Sequence, residues 1–491
     1  MRKLILILLL TLIYGFWAGQ ARASNVTISN VSLTNVNQTN STVDVKFDLT
    51  QDNTFSGTDD NGQSFYDRIW VFVKFWRTSP AWPTDGSSAW KHATLISGGT
   101  ATPVSGGKGA FCQVGANQTL RWSFGTDNIQ GTQTVKVKVM AVEMVYIPQG
   151  AFFAGDTTSA SYFRQGGGTA PFKISSEAAI VVGNDSSSKL YYQTGGNYGD
   201  GGTPIPANFP KGYNAFYIMK YEISQGQYRD FLNTLTSTQA DSRYKGSATI
   251  SDRYGIKRSG TPAVYGCDLN DNGTFNESAD GENVACNYLS WADLCYYADW
   301  AGLRPMTELE FEKACRGGSP TDNTFDGEFA WGTGSATSYS SLYHSGQVDE
   351  GPSIDSGVTV NIASNLNYQD CAPDGPIRCG AFSGASTSRI QAGASYYGVM
   401  ELSGNLWERP VTVGSSFGRS FTGTNGDGDI SNGVPTGWPA VSGTDEAKGA
   451  GHRGGNWYYD TSYSRVSDRS NAALVYADRA VDGGARCVRT P

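Results

Sequence analysis

Histidine is nearly absent from this chain: its 491 residues contain only three, His92, His344 and His452, spread far apart in the sequence. A metal centre built from several histidines is therefore not expected. Charge is also sparse, since 17% of the residues are charged and acidic residues outnumber basic ones by 45 to 37. That balance argues against the basic stripe of a nucleic-acid-binding protein, so no nucleic-acid partner is predicted.

Long apolar runs are missing after the first two dozen residues, and a membrane helix needs about 20 apolar residues. The single long run, residues 4–17, follows the basic residues Arg2 and Lys3 and precedes Ala21-Arg-Ala23. This order is typical of a secretory signal peptide with a small-residue cleavage site. Residues 1–23 are therefore predicted to be removed near Ala23. The product is expected to be secreted, periplasmic or at the cell surface, without a membrane span.

The eight cysteines include no C-x-x-C pair, which disfavours a zinc ribbon or a thioredoxin-like motif. In an exported chain, cysteines more often form disulfides. Pairing in chain order predicts the bridges Cys267–Cys286, Cys295–Cys315 and Cys371–Cys379. Cys112 and Cys487 are left without an assigned partner.

Apolar and polar residues alternate with period two in three N-terminal segments, 43–49, 69–75 and 135–141. This period indicates strands with one apolar face. Clusters of Gly, Asn, Ser and Asp separate the segments, and none of them has a helical stripe. Residues 24–142 are therefore predicted to form an all-β sandwich of the immunoglobulin or fibronectin kind.

Three helix starts are predicted in residues 143–491. Ser224 precedes an i, i+3, i+4, i+7 apolar stripe, and Ser290 and Thr307 are each followed three residues later by an acidic residue. The rest of this region is rich in Gly and Ser and has few periodic segments. The pattern favours an α+β, loop-rich domain.

Seven short motifs follow one another through this second region. They are MVYIPQG at 144–150, KYEIS at 220–224, LSWAD at 289–293, RPMTELEFE at 304–312, GVMELSGNLWE at 398–408, RGGNW at 453–457 and GARCV at 484–488. In this order they resemble the formylglycine-generating enzyme (sulfatase-modifying factor) domain family. The resemblance implies a C-type-lectin-like fold with little regular secondary structure over residues 143–491.

The resemblance also identifies what the chain lacks for that chemistry. In the family's enzyme, two cysteines after the Arg-Gly-Gly motif bind copper, and a substrate cysteine is oxidised there with molecular oxygen. The corresponding positions here are Tyr459 and Ser464, and no cysteine lies between Cys379 and Cys487. Phenol and hydroxyl oxygens are poor ligands for Cu(I). Formylglycine generation is not expected, and the alternative is a divergent enzyme acting in the same groove.

Calcium is the predicted cofactor, in a structural role. The segment before Gly273 carries side-chain oxygens at alternate positions, as an EF-hand-type loop does. The predicted ligands are Asp268, Asn270, Asn272, Thr274 and either Glu277 or Asp280. The alternative is a solvated turn without an ion.

A second calcium site is implied by the resemblance alone, around the family's Gly-Asn-x-Trp-Glu motif. It maps to the side chains of Glu401 and Glu408 and the carbonyl groups of Gly404 and Leu406. Glu401 stands where the family usually has Asp or Asn. Trp407, inside the motif, can serve core packing at the same time.

With the thiols absent, a lectin-type fold is most simply interpreted as a binding surface. Tyr, Ser, Asn and Arg recur after residue 457, and these residue types suit adaptable contact surfaces. The predicted contact residues are Trp457, Tyr458, Tyr459, Asp460, Tyr463, Ser464, Arg465, Tyr476, Asp478 and Arg479. The predicted function is non-catalytic binding or adhesion to a protein or glycan ligand.

Two further expectations attach to this stretch. Secreted proteins that the chain resembles include ligand-binding proteins diversified by retroelements at this C-terminal position. The alternative is that the aromatic residues are partly buried structure, which we expect for Trp457.

Overall fold

The computed structural model describes residues 26–491 except 53, 80–89, 158–161, 247–248, 354–365, 370 and 385–386. The predicted signal peptide lies outside the described residues. Across the part of the chain that is described, no helix is both long enough and apolar enough to span a bilayer.

Two antiparallel sheets build the N-terminal part of the chain. The four strands of the first sheet lie in the spatial order Thr27–Asn37, Thr42–Thr50, Gly115–Trp122 and Leu95–Ile96. The second sheet is centred on two long strands, Ser64–Ser79 and Thr134–Ile147, which pair from Tyr66–Tyr146 to Ser79–Thr134. The three alternating segments of the sequence are therefore strands, as predicted.

The second sheet continues into the C-terminal part of the chain. Its main path runs Arg304–Pro305, Cys487–Arg489, Phe216–Met219, Thr134–Ile147, Ser64–Ser79 and Ser56–Thr58, and the short strands Lys91–His92 and Ala110–Cys112 also pair with Ser64–Ser79. Residues 142 and 143, between which the sequence predicts a domain boundary, both lie inside the strand Thr134–Ile147. One strand thus belongs to both regions.

The strand Ser64–Ser79 is buried on both faces. Ile69 and its i+2 neighbours pack against the four-stranded sheet, because alternate side chains of a strand share a face. Trp70 and Phe72 point the opposite way, into the core of the C-terminal region. There the Trp70 indole N–H donates to the carbonyl oxygen of Ala301 at 2.8 Å. The strand therefore joins two apolar cores.

The three predicted helices are present, and each begins at its predicted cap. They are Gln225–Leu232, Trp291–Trp300 and Glu308–Arg316. The hydroxyls of Ser224, Ser290 and Thr307 each accept a hydrogen bond from the backbone amide three residues later, which completes a capping box.

The remaining elements are short. The other helices are Ser237–Arg243 and Ser416–Arg419, with 3-10 turns at Ile430–Asn432, Gly443–Asp445 and Thr461–Ser464. Four two-stranded ribbons pair Phe152–Ala154 with Phe172–Ile174, Arg164–Gln165 with Leu190–Tyr191, Ile256–Ser259 with Val264–Cys267, and Ser341–Tyr343 with Gly351–Ser353. The architecture is β-rich with few helices, which confirms the α+β, loop-rich prediction.

None of the predicted disulfides is formed. Seven cysteines are buried free thiols: Cys112, Cys267, Cys286, Cys295, Cys315, Cys379 and Cys487. The Cys371 thiol is also buried and donates to the carbonyl oxygen of Leu366 at 3.4 Å. Cys295 and Cys315 lie in different apolar clusters, and so do Cys371 and Cys379. Cys267 and Cys286 share one cluster but are not bonded.

Candidate functional site

The C-terminal motifs of the sequence meet in space through backbone hydrogen bonds. The Trp457 amide donates to the carbonyl oxygen of Asn405 at 2.9 Å, and the Trp407 amide donates to that of Asp482, also at 2.9 Å. These bonds bring the Gly-Asn-Leu-Trp-Glu segment, the Arg-Gly-Gly segment and the closing segment together.

Arg453 anchors this arrangement to the helix Glu308–Arg316. Its guanidinium is fully buried and donates to Glu308 at 3.0 Å and to Glu312 at 2.5 Å. Arg469 also binds Glu308, at 2.8 Å. Breaking a buried ion pair is costly, because it leaves an uncompensated charge. The ion pairs of Arg453 and Arg469 therefore fix the position of the loop after Arg453.

The two positions that correspond to the family's thiols have opposite environments. Tyr459 is 41% exposed, whereas Ser464 is fully buried. Gly455 has a φ of 72°, and a Cβ atom at this position would lie 2.2 Å from the Ser464 hydroxyl oxygen, so only glycine fits. The sequence predicts Ser464 as a contact residue, but its side chain lies beneath this turn and does not reach the surface.

Seven aromatic rings form one connected cluster, which we call the aromatic surface. Its members are Trp407, His452, Trp457, Tyr458, Tyr459, Tyr463 and Tyr476. Trp407 lies at its centre, stacked on His452 with ring centroids 5.5 Å apart and touching Tyr459 at 6.2 Å. Of the predicted contact residues, Trp457 is buried, as expected, whereas Tyr458, at 55% exposure, is the most accessible ring of the cluster.

The predicted polar contact residues divide into two groups. Asp460 and Asp478 are exposed, although Asp460 also caps the turn Thr461–Ser464. Arg479 instead donates two hydrogen bonds, of 2.7 and 2.9 Å, to the buried carboxylate of Asp293. Arg465 donates to the carbonyl oxygen of Gly327. Both arginines are therefore held by internal contacts. The exposed carboxylates of Asp460 and Asp478 remain accessible to a ligand.

His452 contributes to the aromatic surface by packing against Trp407. Burial, together with the nearby Arg409 guanidinium, holds the pKa of His452 well below its usual range. The imidazole is therefore neutral at pH 7. The pKa of Tyr459 is raised by partial burial and by the negative charge of Asp482, so the phenol stays protonated at the same pH.

Three buried glutamates gather around one arginine behind this surface. The Arg486 guanidinium donates to Glu408, whose other carboxylate oxygen has no hydrogen-bond partner among the described residues. One oxygen of Glu401 is likewise buried without a partner among them. Burial raises the pKa of Glu401 to about 7, and burial together with the Glu408 charge raises that of Glu222 well above its usual range.

The unpartnered carboxylate oxygens of Glu401 and Glu408 are of the kind that the calcium site implied by the resemblance would need. A cation here would bind the oxygens of Glu401 and Glu408 that no other described residue contacts by a hydrogen bond. Among the described residues, no group of three Asp, Glu, His or Cys side chains is arranged so that it could hold a metal ion by itself. An ion would therefore also need main-chain oxygens, such as those of Gly404 and Leu406.

Most side-chain oxygens of the other predicted calcium loop have partners inside the protein, although Asp280 Oδ1 is buried without a hydrogen-bond partner among the described residues. Asp268 is paired with the Lys257 ammonium at 2.9 Å. Oxygens of Asn270 and Asn272 accept the backbone amides of Asn272 and Thr274 at 3.1 and 2.8 Å. Asp280 accepts the Glu277 amide at 2.6 Å, and burial raises the pKa of Asp280 to about 6. This geometry favours the turn alternative, and calcium in this loop stays a prediction.

The fold and the meeting motifs define a β-rich, loop-dominated domain of the sulfatase-modifying class. The family model of the sulfatase-modifying factor enzyme 1-like domain matches residues 131–491. The chain therefore belongs to this family, as the sequence motifs predict. The match begins just before the strand Thr134–Ile147 and so includes the strand that both regions share.

Two solved structures show a distant likeness. Treponema denticola variable protein 1 is 12% identical, with 72% of this chain and 96% of that chain covered and a TM-score of 0.33. The Major Tropism Determinant U1 variant is 15% identical, with 96% of this chain and 84% of that chain covered and a TM-score of 0.24. No curated protein matches the chain. No residue role is transferred from either structure.

Three residues of the site are not predicted from the sequence. From the sequence alone, Trp407 is assigned a core-packing role inside its motif and His452 is one of three scattered histidines, although His452 directly precedes the Arg-Gly-Gly motif. Glu222 lies in the KYEIS motif, but only the fold brings its carboxylate beside Asn405 and Leu406, from which it accepts hydrogen bonds of 2.5 and 2.9 Å. Position inside or beside a family motif is the available signal in all three cases.

Proposed function

We propose that this chain is an exported, non-catalytic binding protein that uses the aromatic surface to contact a protein or glycan ligand. The exposure of Tyr458, Tyr459 and Tyr476 above the buried Trp407 and Trp457 carries the proposal. Tyrosine supplies rigid amphipathic contact area, and a few aromatic residues commonly dominate an interface. In this proposal residues 24–142 form a β-sandwich that carries a C-type-lectin-like domain.

The residues at the former thiol positions favour binding over divergent catalysis. Tyr459 is an exposed phenol and Ser464 a buried hydroxyl, and neither can supply a thiolate. The neighbouring His452 is neutral and covered by Trp407, so it is poorly placed to carry a proton. A divergent enzyme would need converging titratable groups that reach solvent at this place.

Diversification by a retroelement forms part of the proposal only for the exposed rings. Tyr458, Tyr459 and Tyr476 can change without opening the core, because a large part of each side chain faces solvent. Changes at Ser464 or Trp457 would disturb buried packing instead.

A ligand array tests the proposal. The purified protein is applied to glycan and protein arrays beside the double variant Tyr458→Ala/Tyr459→Ala. Removing two aromatic anchors is expected to weaken every specific contact by more than about tenfold, since central aromatic residues commonly cost about 2 kcal/mol each. The melting temperature should barely change, because both rings are exposed.

The matched control is Phe417→Ala, which removes a 40% exposed ring outside the aromatic surface. This variant should keep the wild-type array pattern. If the double variant also keeps that pattern, the aromatic surface is not the binding face. If the double variant unfolds, its tyrosines are structural.

A further inference from the structure

A cavity lies where the N-terminal strands meet the first helix of the C-terminal region. Its volume is about 440 Å³, within the usual range for small-molecule sites. The strands Ser64–Ser79 and Thr134–Ile147 form one wall, and the helix Gln225–Leu232 and the strand Val264–Cys267 form the other. None of its described lining residues belongs to the aromatic surface.

Two tryptophans and two lysines lie close together along the cavity. The ring centroids of Trp76 and Trp90 lie 6.1 Å apart. The Lys136 ammonium lies 5.2 Å from the Trp76 centroid, and the Lys138 ammonium lies 4.7 Å from that of Trp90. Because residues two apart on a strand share a face, both ammonium groups lie on the same side of Thr134–Ile147. The wall thus offers aromatic area and positive charge together.

The cavity carries more positive than negative charge. Asp230 is the one acidic side chain among the described lining residues, and it already pairs with Arg229 at 3.0 Å. Burial lowers the pKa of Lys138; the negative charge of Asp230 opposes this shift, and the repulsion of Arg229 and Lys136 adds to it. A negative group placed in the cavity would relieve this repulsion.

Arg229 adds a third positive charge to the lining of the cavity. Arg229 lines the cavity and is 3% exposed. Its Nη1 atom donates to Asn276 at 2.7 Å and lies 3.6 Å from a carboxylate oxygen of Glu282. Arg229 is therefore already paired with two carboxylates, and the two lysines supply the positive charge that a ligand in the cavity would meet.

We propose that this cavity binds a small ring compound that carries a carboxylate. The carboxylate accepts hydrogen bonds from the ammonium groups of Lys136 and Lys138, and the ring packs against Trp76 and Trp90. An acidic monosaccharide and an aromatic acid share this chemistry. The cavity shares no described residue with the aromatic surface, so this proposal does not depend on the proposed binding function.

Titration of the full chain with three probes tests the proposal. Glucuronate, benzoate and the uncharged glucose are added while tryptophan fluorescence and heat are recorded. At least one carboxylate is expected to bind saturably, with a Kd of about a millimolar or lower, and glucose is not. Glucuronate binding identifies the acidic-sugar source, and benzoate binding identifies the aromatic-acid source.

Lys138→Gln should weaken that binding about tenfold, because it removes one charge-assisted hydrogen bond. The matched control Lys46→Gln removes a half-buried lysine from the strand Thr42–Thr50 and should bind like the wild type. Lys136→Gln provides a second test if Lys138→Gln melts early. The proposal is overturned if neither carboxylate saturates, if glucose binds equally well, or if well-folded lysine variants keep full affinity.

Discussion

Tyr459 and Ser464 show which properties of a site can be predicted from the identity of its residues and which cannot. The absence of thiols at these positions is predictable, because it depends only on the register of the Arg-Gly-Gly motif. Their environments are not, since the burial of Ser464 depends on the close approach permitted by Gly455. The sequence therefore shows which thiols are missing, but it places one buried side chain on the contact surface.

The missing thiols lead to a prediction about activity. Incubated with copper, oxygen and a sulfatase-type cysteine peptide, the protein is expected to produce no aldehyde, because a phenol and a hydroxyl bind Cu(I) poorly. Mass spectrometry of the peptide measures the product. A matched incubation without protein gives the background, and aldehyde above that background would contradict the prediction.

Asp299 supports a prediction about pH. Burial raises the pKa of its carboxyl to about 7, although it accepts a hydrogen bond from the Asp427 amide at 2.9 Å. The folded state thus binds a proton that the unfolded state has already lost between about pH 4 and 7. The contribution of Asp299 to the free energy of unfolding therefore falls as pH rises through this window, by up to about 1.4 kcal/mol per pH unit.

Asp299→Asn should flatten this dependence, since an amide keeps the acceptor and does not ionise. Urea unfolding of the wild type and the variant at several pH values between about 4 and 8 measures the difference. Asp322→Asn, at an exposed carboxylate, serves as the control. Parallel curves for Asp299→Asn and the wild type would show that this carboxyl does not titrate as described.

At the scale of elements, the helices are predictable wherever a cap and an apolar stripe coincide. The helix Ser237–Arg243 is not predicted, even though Thr236 and Gln239 form the same capping box as the predicted helices. Only Ala240 of that helix is buried, so it shows no apolar stripe. The two-residue strand Arg304–Pro305 is beyond prediction, because such a segment is too short for any periodicity.

The conformation of the loop 401–408 depends on contacts with its surroundings. Glu401 and Asn405 have φ values of 53° and 63°, in the left-handed region that non-glycine residues rarely adopt. Glu222 holds the loop by accepting hydrogen bonds from the Asn405 side chain and the Leu406 amide. Such strain persists only where surrounding contacts or a ligand enforce it.

Calcium is expected to stabilise this loop and, through it, the fold. A ligand that binds only the native state adds about 2.7 kcal/mol at a hundredfold excess over its Kd. Thermal unfolding with calcium and with a chelator measures the gain. Glu408→Ala should lose part of it because one predicted ligand is removed. Asp185→Asn, at an exposed carboxylate outside both predicted loops, should keep all of it. Identical melting of the wild type with and without chelator would refute the calcium assignment.

At the scale of the whole molecule, the sequence motifs identify the family but not how the two regions join. The alternating segment 135–141 predicts a strand that ends near residue 142. The apolar residues Met144–Ile147 extend the same strand and are almost wholly buried, so they do not alternate. Their partner strand Phe216–Met219 is about 70 residues away in sequence, and no local pattern indicates that pairing.

This shared strand makes the stability of the fragment 143–491 a decisive measurement. The fragment begins inside Thr134–Ile147 and lacks Trp70 and Phe72, so it uncovers the face of Trp300 that the Phe72 ring contacts at 5.1 Å. Losing buried aromatic residues costs about 3–5 kcal/mol each, against a total stability of about 5–15 kcal/mol. We expect the fragment to lose fixed tertiary structure, as measured by near-ultraviolet circular dichroism and calorimetry.

The fragment 26–491 keeps the strand and both cores, and it should unfold in one cooperative transition, with calorimetric and van't Hoff enthalpies that agree. The joined sheet explains this expectation, because neither core can open without breaking the pairing of Ser64–Ser79 with Thr134–Ile147. If 143–491 instead folds and melts at the temperature of the longer fragment, the C-terminal region is an independent domain and the shared strand merely connects it to the N-terminal region.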